Sequence, residues 1–403
     1  MEIPSSVNWG SLEGAGKWFN VPFHQIDIRF SDEEELEIER YCQKIKENIE
    51  KDKMTPMERW KATIEGQEVD RLLVEAIPAT PYATRVLDGF GNVIKPIDAF
   101  RYPKLFLKSQ LAFCARFGTD YPNVYSLTYG ESEWGGKAKL LEMAHPVLVE
   151  PGVKTMEDVE RLKVPNPYRD GQYPLMLWAM HTMKEIFKKH GLAGVVPVVA
   201  SCCVRGTTML QLSIRGLKQG YLDPIKNPDI YHKLMPLSNE LAINYAKALR
   251  DVGVDIVWCC CHHATHPPEV FKEHIVKYDA EFAKKSGIDG WGYAFNQEKH
   301  VSIMHEAGGY DTVKYLMFDT LTPPEFARKF TKEINKPYIA IIEDKKLMEG
   351  PSKIEEYVKQ LVKIGTSTPG VGFGLSAGTI DYWTPPECID AYVKYAKQYG
   401  KLK

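Results

Sequence analysis

From about residue 70 onward, short runs that are apolar throughout alternate with segments of helical period. This alternation constrains the fold more than any other feature of the chain. The runs are RLLVEAI (71–77), GVVPVVASCCV (194–204), VDIVWCCC (254–261), YLMFD (315–319), PYIAIIED (337–344) and GVGFGLSAG (370–378). Between them lie amphipathic stretches such as NPDIYHKLMPLSNELAINYAKALRDVG, PPEVFKEHIVKYDAEFAKKSG and GPSKIEEYVKQLVKIG. A strand wetted on one side alternates polar and apolar residues. A strand that is apolar at every position is covered on both faces, as helical crossovers cover a parallel sheet. The pattern predicts an α/β fold, and the number of runs in a chain of 403 residues favours a TIM (β/α)8 barrel over an open doubly wound sheet. No Gly-x-Gly-x-x-Gly follows the first run, which weighs against a dinucleotide site.

The barrel is expected over 55–403, preceded by an N-terminal extension over 1–54. In the extension an irregular aromatic stretch leads into a helix, DEEELEIERYCQKIKENIEKDK, opened by a Ser31–Glu34 capping box. Thr55-Pro56 starts a second helix that Gly66 ends. Residues near 86–170 contain GFGNVIKP, YGESEWGGKAKL and KVPNPYRDGQYP and read as a turn-rich insertion carrying a β-hairpin.

Charge and cysteine usage bound the partners and the compartment. Fifty-one basic against 53 acidic residues give a net charge of −2, so nothing in the average points to nucleic acid or an anionic membrane. The most apolar stretch, residues 191–204, is shorter than the ~20 residues a span requires and contains Pro197. The N-terminus has no basic region followed by an apolar one, so no secretory signal is read there. Five of the eight cysteines sit in the runs Cys202-Cys203 and Cys259-Cys260-Cys261. Adjacent cysteines pair poorly, so the chain reads as reduced and cytoplasmic.

In a barrel, chemistry collects where the strands end, because the loops that follow them converge there. The densest constellation is WCCCHHATH (258–266). Cys259 and Cys261 should face one way and Cys260 the other, with His262, His263 and His266 just beyond. Imidazole and thiolate together suit zinc, while three small buried thiols beside hydrogen-bonded histidines suit a core. The spacing carries no Cys-x-x-Cys or paired His motif, and no metal site is expected. His262 and His263 are candidate acids or bases. Arg205, after the second apolar run, suits a carboxylate or phosphate as well as a structural ion pair. Glu343 competes between acid–base work and pairing with a lysine. Tyr293, Asn296, Asp319, Trp258 and Cys260 are the remaining pocket candidates, the aromatics suiting an apolar ring.

The strand ends and their helices resemble the uroporphyrinogen decarboxylase superfamily. TPMERWKATIEGQEVDRLLVEAI is similar to its opening helix and first strand, and ALRDVGVDIVWCCCHHATHPPEVFKEHI to a central segment. EDKKLMEGPSKIEEYVKQLV and GFGLSAGTIDYWTPPECIDAYVKYAKQYG resemble its closing ones, so the likeness runs in order over about 55–400. It implies a TIM barrel with one cleft. Decarboxylating members carry an arginine-rich loop after the first strand. Here that stretch reads IPATPYATRV, with only Arg85 nearby. EDVERLKVPNPYRDGQYP is similar to a segment of the corrinoid-dependent methyltransferase branch.

Thiol-methylating members of that branch hold zinc through a His-x-Cys pair and a later cysteine. The matching positions here are Gly292-Tyr293-Ala294 and Thr379. The resemblance therefore implies transfer from a methyl donor to cobalt(I), with an aromatic methyl ether as the expected donor. His262, His263, Tyr293 and Glu343 are then the candidate proton sources and catalytic residues. Arg205, Trp258, Asn296, Asp319 and Cys260 are the candidate substrate contacts. The chain lacks an Asp-x-His-x-x-Gly motif, so cobalamin is expected on a partner corrinoid protein. Methylamine, methanol and methylthio donors, and a decarboxylase using Arg205 and Asp319, stay open as alternatives. So does a homodimeric state.

Overall fold

The computed structural model describes residues 15–91, 94–124, 133–139, 141, 146–205, 212–261, 266–293 and 297–402. Eight parallel strands form one sheet: β1 (Leu73–Pro78), β2 (Asn123–Val124), β3 (Val199–Arg205), β4 (Ile256–Cys261), β5 (Gly290–Tyr293), β6 (Tyr315–Asp319), β7 (Tyr338–Ile342) and β8 (Phe373–Ile380). Their order is β1-β8-β7-β6-β5-β4-β3-β2, so each strand after β2 pairs with its chain neighbours. The seam between β1 and β2 is bridged where the Asp120 N–H donates to the Val74 carbonyl at 2.9 Å. The result is a nearly closed TIM barrel. Helices such as Pro228–Asp251, Val276–Ser286, Pro324–Glu333, Pro351–Gly365 and Pro386–Tyr399 cover its outside.

The local signals act as their chemistry dictates. Ser31 and Thr55 both close reciprocal capping boxes, with Glu34 and Glu58, and so satisfy the first free N–H groups of helices Asp32–Ile49 and Pro56–Glu65. Gly66 ends the second helix at φ 67°, where its missing side chain also lets the Gly370 carbonyl approach.

The stretch near 86–170 is more than an insertion. It holds the helices Pro96–Arg101 and Pro103–Phe117, the barrel strand β2, and an antiparallel pair, Lys137–Lys139 with Val147–Glu150. The hairpin was expected. The barrel strand was not, because β2 is two residues long within YPNV and leaves no apolar run to read. Among the described residues no helix is long and apolar enough to cross a membrane. Cys42, Cys114, Cys259, Cys260, Cys261 and Cys388 are free thiols.

A buried charge network ties the extension to the barrel floor. Asp120, just before β2, accepts from Arg59 Nη1 at 2.6 Å and from Arg71 Nη2 and Nη1 at 2.7 and 3.0 Å. It also accepts from the Val74 N–H at 2.7 Å. Arg59 forks onto Asp70, and Arg71 onto Asp52. Burial alone would raise the Asp120 carboxyl, but the Arg71 and Arg59 guanidiniums hold it below its usual range. Removing one partner would leave desolvated charge behind, so Asp120→Ala is expected to destabilise the chain by about 3–5 kcal/mol. Breaking the half-exposed Arg116–Asp390 pair should cost no more than about 1 kcal/mol. Urea titration of both variants checks the contrast.

Candidate active site

Side-chain alternation sorts the strand residues into those that enter the barrel and those that face the helices. Trp291 packs on Phe282 of the helix after β4, and Tyr293 packs on Tyr310, so residues 291 and 293 face outward. Gly290 and Gly292 therefore face inward. A side chain at Gly290 would strike the Tyr315 ring, and one at Gly292 the Trp258 ring, so these aromatics occupy the lumen beside β5. Following the register around the sheet, Arg205, Trp258, Cys260, Asp319 and Ser376 share the inward face, and Glu343 continues the inward series past β7.

The structure brings Arg205, Cys260, Asp319 and Glu343 to the C-terminal mouth, with Trp258 deeper. Arg205 Nη1 donates to Ser213 Oγ at 2.8 Å. Asp319 is buried and accepts from the Thr322 N–H at 3.2 Å, which orients it at the end of β6. Glu343 accepts from the Thr320 hydroxyl. The neighbouring Asp344 accepts from the Thr384 hydroxyl, and burial pushes its carboxyl up. His266 is buried against Tyr221, and its carbonyl accepts from the His300 ring at 2.9 Å in the assigned tautomer. His262, His263 and Asn296 lie outside the described residues.

Tyr293 does not join this group. It is stacked on Phe318 at 4.9 Å, in the layer between sheet and helices. The expectation of a pocket tyrosine fails because the strand run GWGY gives no signal of which parity faces in, and Trp291 claims the helix side.

The cysteine run divides as alternation requires. Cys259 and Cys261 lie on the helix side. Trp291 Nε1 donates to Cys261 Sγ at 2.8 Å, and Cys261 Sγ lies 3.1 Å from the Gly292 carbonyl. Burial raises both thiols well above their ordinary value, so they stay protonated and pack as small core residues. Only Cys260 faces the lumen. Among the described residues no cluster of three His, Cys, Asp or Glu side chains could hold a metal ion.

Sequence reasoning missed Glu75. It sits mid-strand in β1, faces the lumen opposite Ser376, and is 1 % exposed. The Tyr121 hydroxyl donates to Glu75 Oε2. Burial pushes its carboxyl up to about 7, against the opposing pull of Tyr121 and Ser376 and with Asp120 adding to the rise. The signal was a single charge inside RLLVEAI, at odds with an otherwise apolar run.

A carboxyl raised on folding stabilises the fold while it is protonated in both states. That contribution is fully present below about 4.5 and is lost as pH rises through about 7, an effect of about 3 kcal/mol. Glu75→Gln should therefore flatten the fall in stability between pH 4.5 and 7, as denaturant titrations at several pH values would show. An unchanged pH profile would remove Glu75 as its source.

The comparisons with known proteins agree with this architecture. Residues 55–399 match the family model described as Uroporphyrinogen decarboxylase (URO-D). The chain belongs to that family. A methyltransferase from Methanosarcina mazei has a similar structure, with a TM-score of 0.71 at 20% sequence identity, over 86% of this chain and 99% of that one. At that identity the likeness is one of fold. No curated protein is detectably similar in sequence.

Proposed function

We propose that the chain is a methyltransferase that passes a methyl group from a small donor, an aromatic methyl ether, to the cobalt(I) of a separate corrinoid protein. The observation that carries this reading is the inward mouth. It is built from proton-bearing and hydrogen-bonding groups, Arg205, Cys260, Asp319 and Glu343, and not from a thiolate-activating ligand set. At position 292, where the thiol-methylating relatives would place a ligand, the Trp258 ring leaves no room for a side chain. The similar Methanosarcina mazei structure, itself a methyltransferase, favours the same branch.

Transfer breaks the methyl carbon–oxygen bond, and the departing oxygen takes up a proton. The partner's corrinoid supplies the nucleophile that accepts the methyl group. The chain's task is to orient that carbon toward the mouth and to stabilise the leaving oxygen. Glu343, His262 and His263 are the proposed proton donors, with Arg205 holding an anionic substituent. Trp258 and Tyr315 take up lumen space beside β5, so only a small group enters and a macrocycle works from the rim. Exposed apolar residues follow the strand ends: Leu217 and Ile225 after β3, Leu321 after β6, Met348 after β7 and Trp383 after β8. Exposed apolar residues beyond several strand ends suit a protein partner.

Decarboxylation of a polyacid is the poorer match, because Arg205 is the one inward cation among the described strand residues and it shares the mouth with Asp319. A cationic methylamine donor is the second reading, since Asp319 and Glu343 would both favour it.

The test incubates the chain with reduced corrinoid protein and follows the cobalt(I) absorbance with methoxyarenes, methylamines and a porphyrinogen. Loss of signal with methoxyarenes is expected. Loss only with methylamines moves the assignment to the second reading, and release of carbon dioxide from the porphyrinogen sinks both. In the same assay Trp383→Ala and Leu321→Ala should each raise the KM for the corrinoid protein about fivefold or more while the melting temperature stays unchanged. An unaltered KM in both removes the rim from partner docking.

A further inference from the structure

Partway down the lumen, β8, β1, β2, β3 and β4 carry a group of polar side chains, and β6 and β7 across from them carry apolar ones between Tyr315 and Asp319. Glu75, Asn123, Ser201, Trp258 and Ser376 contribute to the first, and Met317, Ile339 and Ile341 to the second. The polar side chains are each no more than 2 % exposed. Both amide atoms of Asn123, Ser201 Oγ, Trp258 Nε1 and Glu75 Oε1 have no hydrogen-bond partner among the described residues. Buried polar groups are nearly always paired, and a group of unpaired ones on adjoining strands calls for a reason. These atoms include donors, in the Asn123 amide and the Trp258 indole, and acceptors, in the Asn123 carbonyl and the Glu75 carboxyl. None of these five side chains is a cation, and the one cation on these strands, Arg205, lies above them at the mouth.

We propose that this wall recognises an uncharged hydroxyl- or carbonyl-bearing group at the end of the donor remote from its methyl group, with the ring lying against Met317, Ile339 and Ile341. The proposal extends the proposed function by naming the part of the donor that the lumen reads. An anionic end would meet Glu75 with no cation to offset it, so charged substituents belong at the mouth beside Arg205. A neutral hydroxyl supplies one donor and two acceptor sites, which the Asn123 amide, Ser201 and Glu75 can engage together. A lumen-facing wall already desolvated loses no hydration when the ligand's polar group pairs with it, and it rejects a ligand that leaves it unpaired. None of these atoms reaches solvent in the structure, so entry displaces side chains nearer the mouth, Ile77 among them.

The test uses phenol and benzene, neither of which carries a methyl group. Calorimetric titration of the full chain should show phenol binding about tenfold or more tightly than benzene. Asn123→Ala, Ser201→Ala and Glu75→Leu should each erode that preference. Glu75→Gln, which keeps a donor and an acceptor at the site, should retain it and so separates recognition from a general loss of folding. Equal affinity for the two probes, no phenol binding, or a preference that survives every variant overturns the proposal. If the preference depends on the wall while methoxyarenes leave cobalt(I) untouched, the reaction assigned above falls and the recognition wall stands.

Discussion

Asp120 is the group on which the barrel's closure depends. Its carboxylate gathers Arg59 from the helix before the barrel, Arg71 from the turn into β1 and the Val74 N–H from β1 itself, and its own N–H returns a bond to Val74. With β2 reduced to two residues, few ladder bonds hold the β1–β2 seam, and the ion network takes over that work. Lys397 of the last helix lies in the same field. Burial and Arg71 lower its pKa while Asp120 and Asp52 raise it. The extension, the first strand, the second strand and the final helix thus meet at one desolvated cluster. Such a cluster specifies geometry more than it adds stability, because each charge has surrendered its hydration to be there.

Above that floor, one geometric rule decides which residues can do chemistry. A strand turns successive side chains to opposite faces, so neighbours in sequence have unrelated fates. Cys260 looks into the lumen while Cys259 and Cys261 become protonated core thiols. Gly292 gives its space to Trp258 while Tyr293 stacks on Phe318 behind the sheet. Glu75, a single carboxyl in an apolar run, ends up deep in the barrel beside Tyr121 and Ser376. The lumen that results carries Glu75, Asn123 and Ser376 on one side, Met317, Ile339 and Ile341 on the other, and Arg205, Asp319 and Glu343 at its mouth. A site of this kind suits a small ligand with unlike ends.

The fold was legible because burial on both faces leaves a continuous apolar run, and six of the eight barrel strands carry one. β2 and β5 do not. β2 pairs through Asn123 and Val124 alone, and the glycines of GWGY make room for Trp258 and Tyr315, which belong to other strands. The strand-end rule also brought Arg205, Asp319 and Glu343 forward as mouth residues, since position after an apolar run is a sequence property. Tyr293 went astray for want of parity. Glu75 was overlooked because a mid-strand charge is informative only once its face is known.

What the sequence determined by itself is therefore the class of architecture, the helix starts set by Ser31 and Thr55, and the order of the strand ends, because propensity, capping and hydrophobic period are local. What only the tertiary structure decided is the inside of the barrel: which parity faces the lumen, which aromatics fill it, and which carboxyl is stripped of water. Those outcomes depend on strands far apart in sequence meeting in register, and on the low-dielectric space they enclose. No window of the chain contains both a side chain and the neighbours that set its protonation.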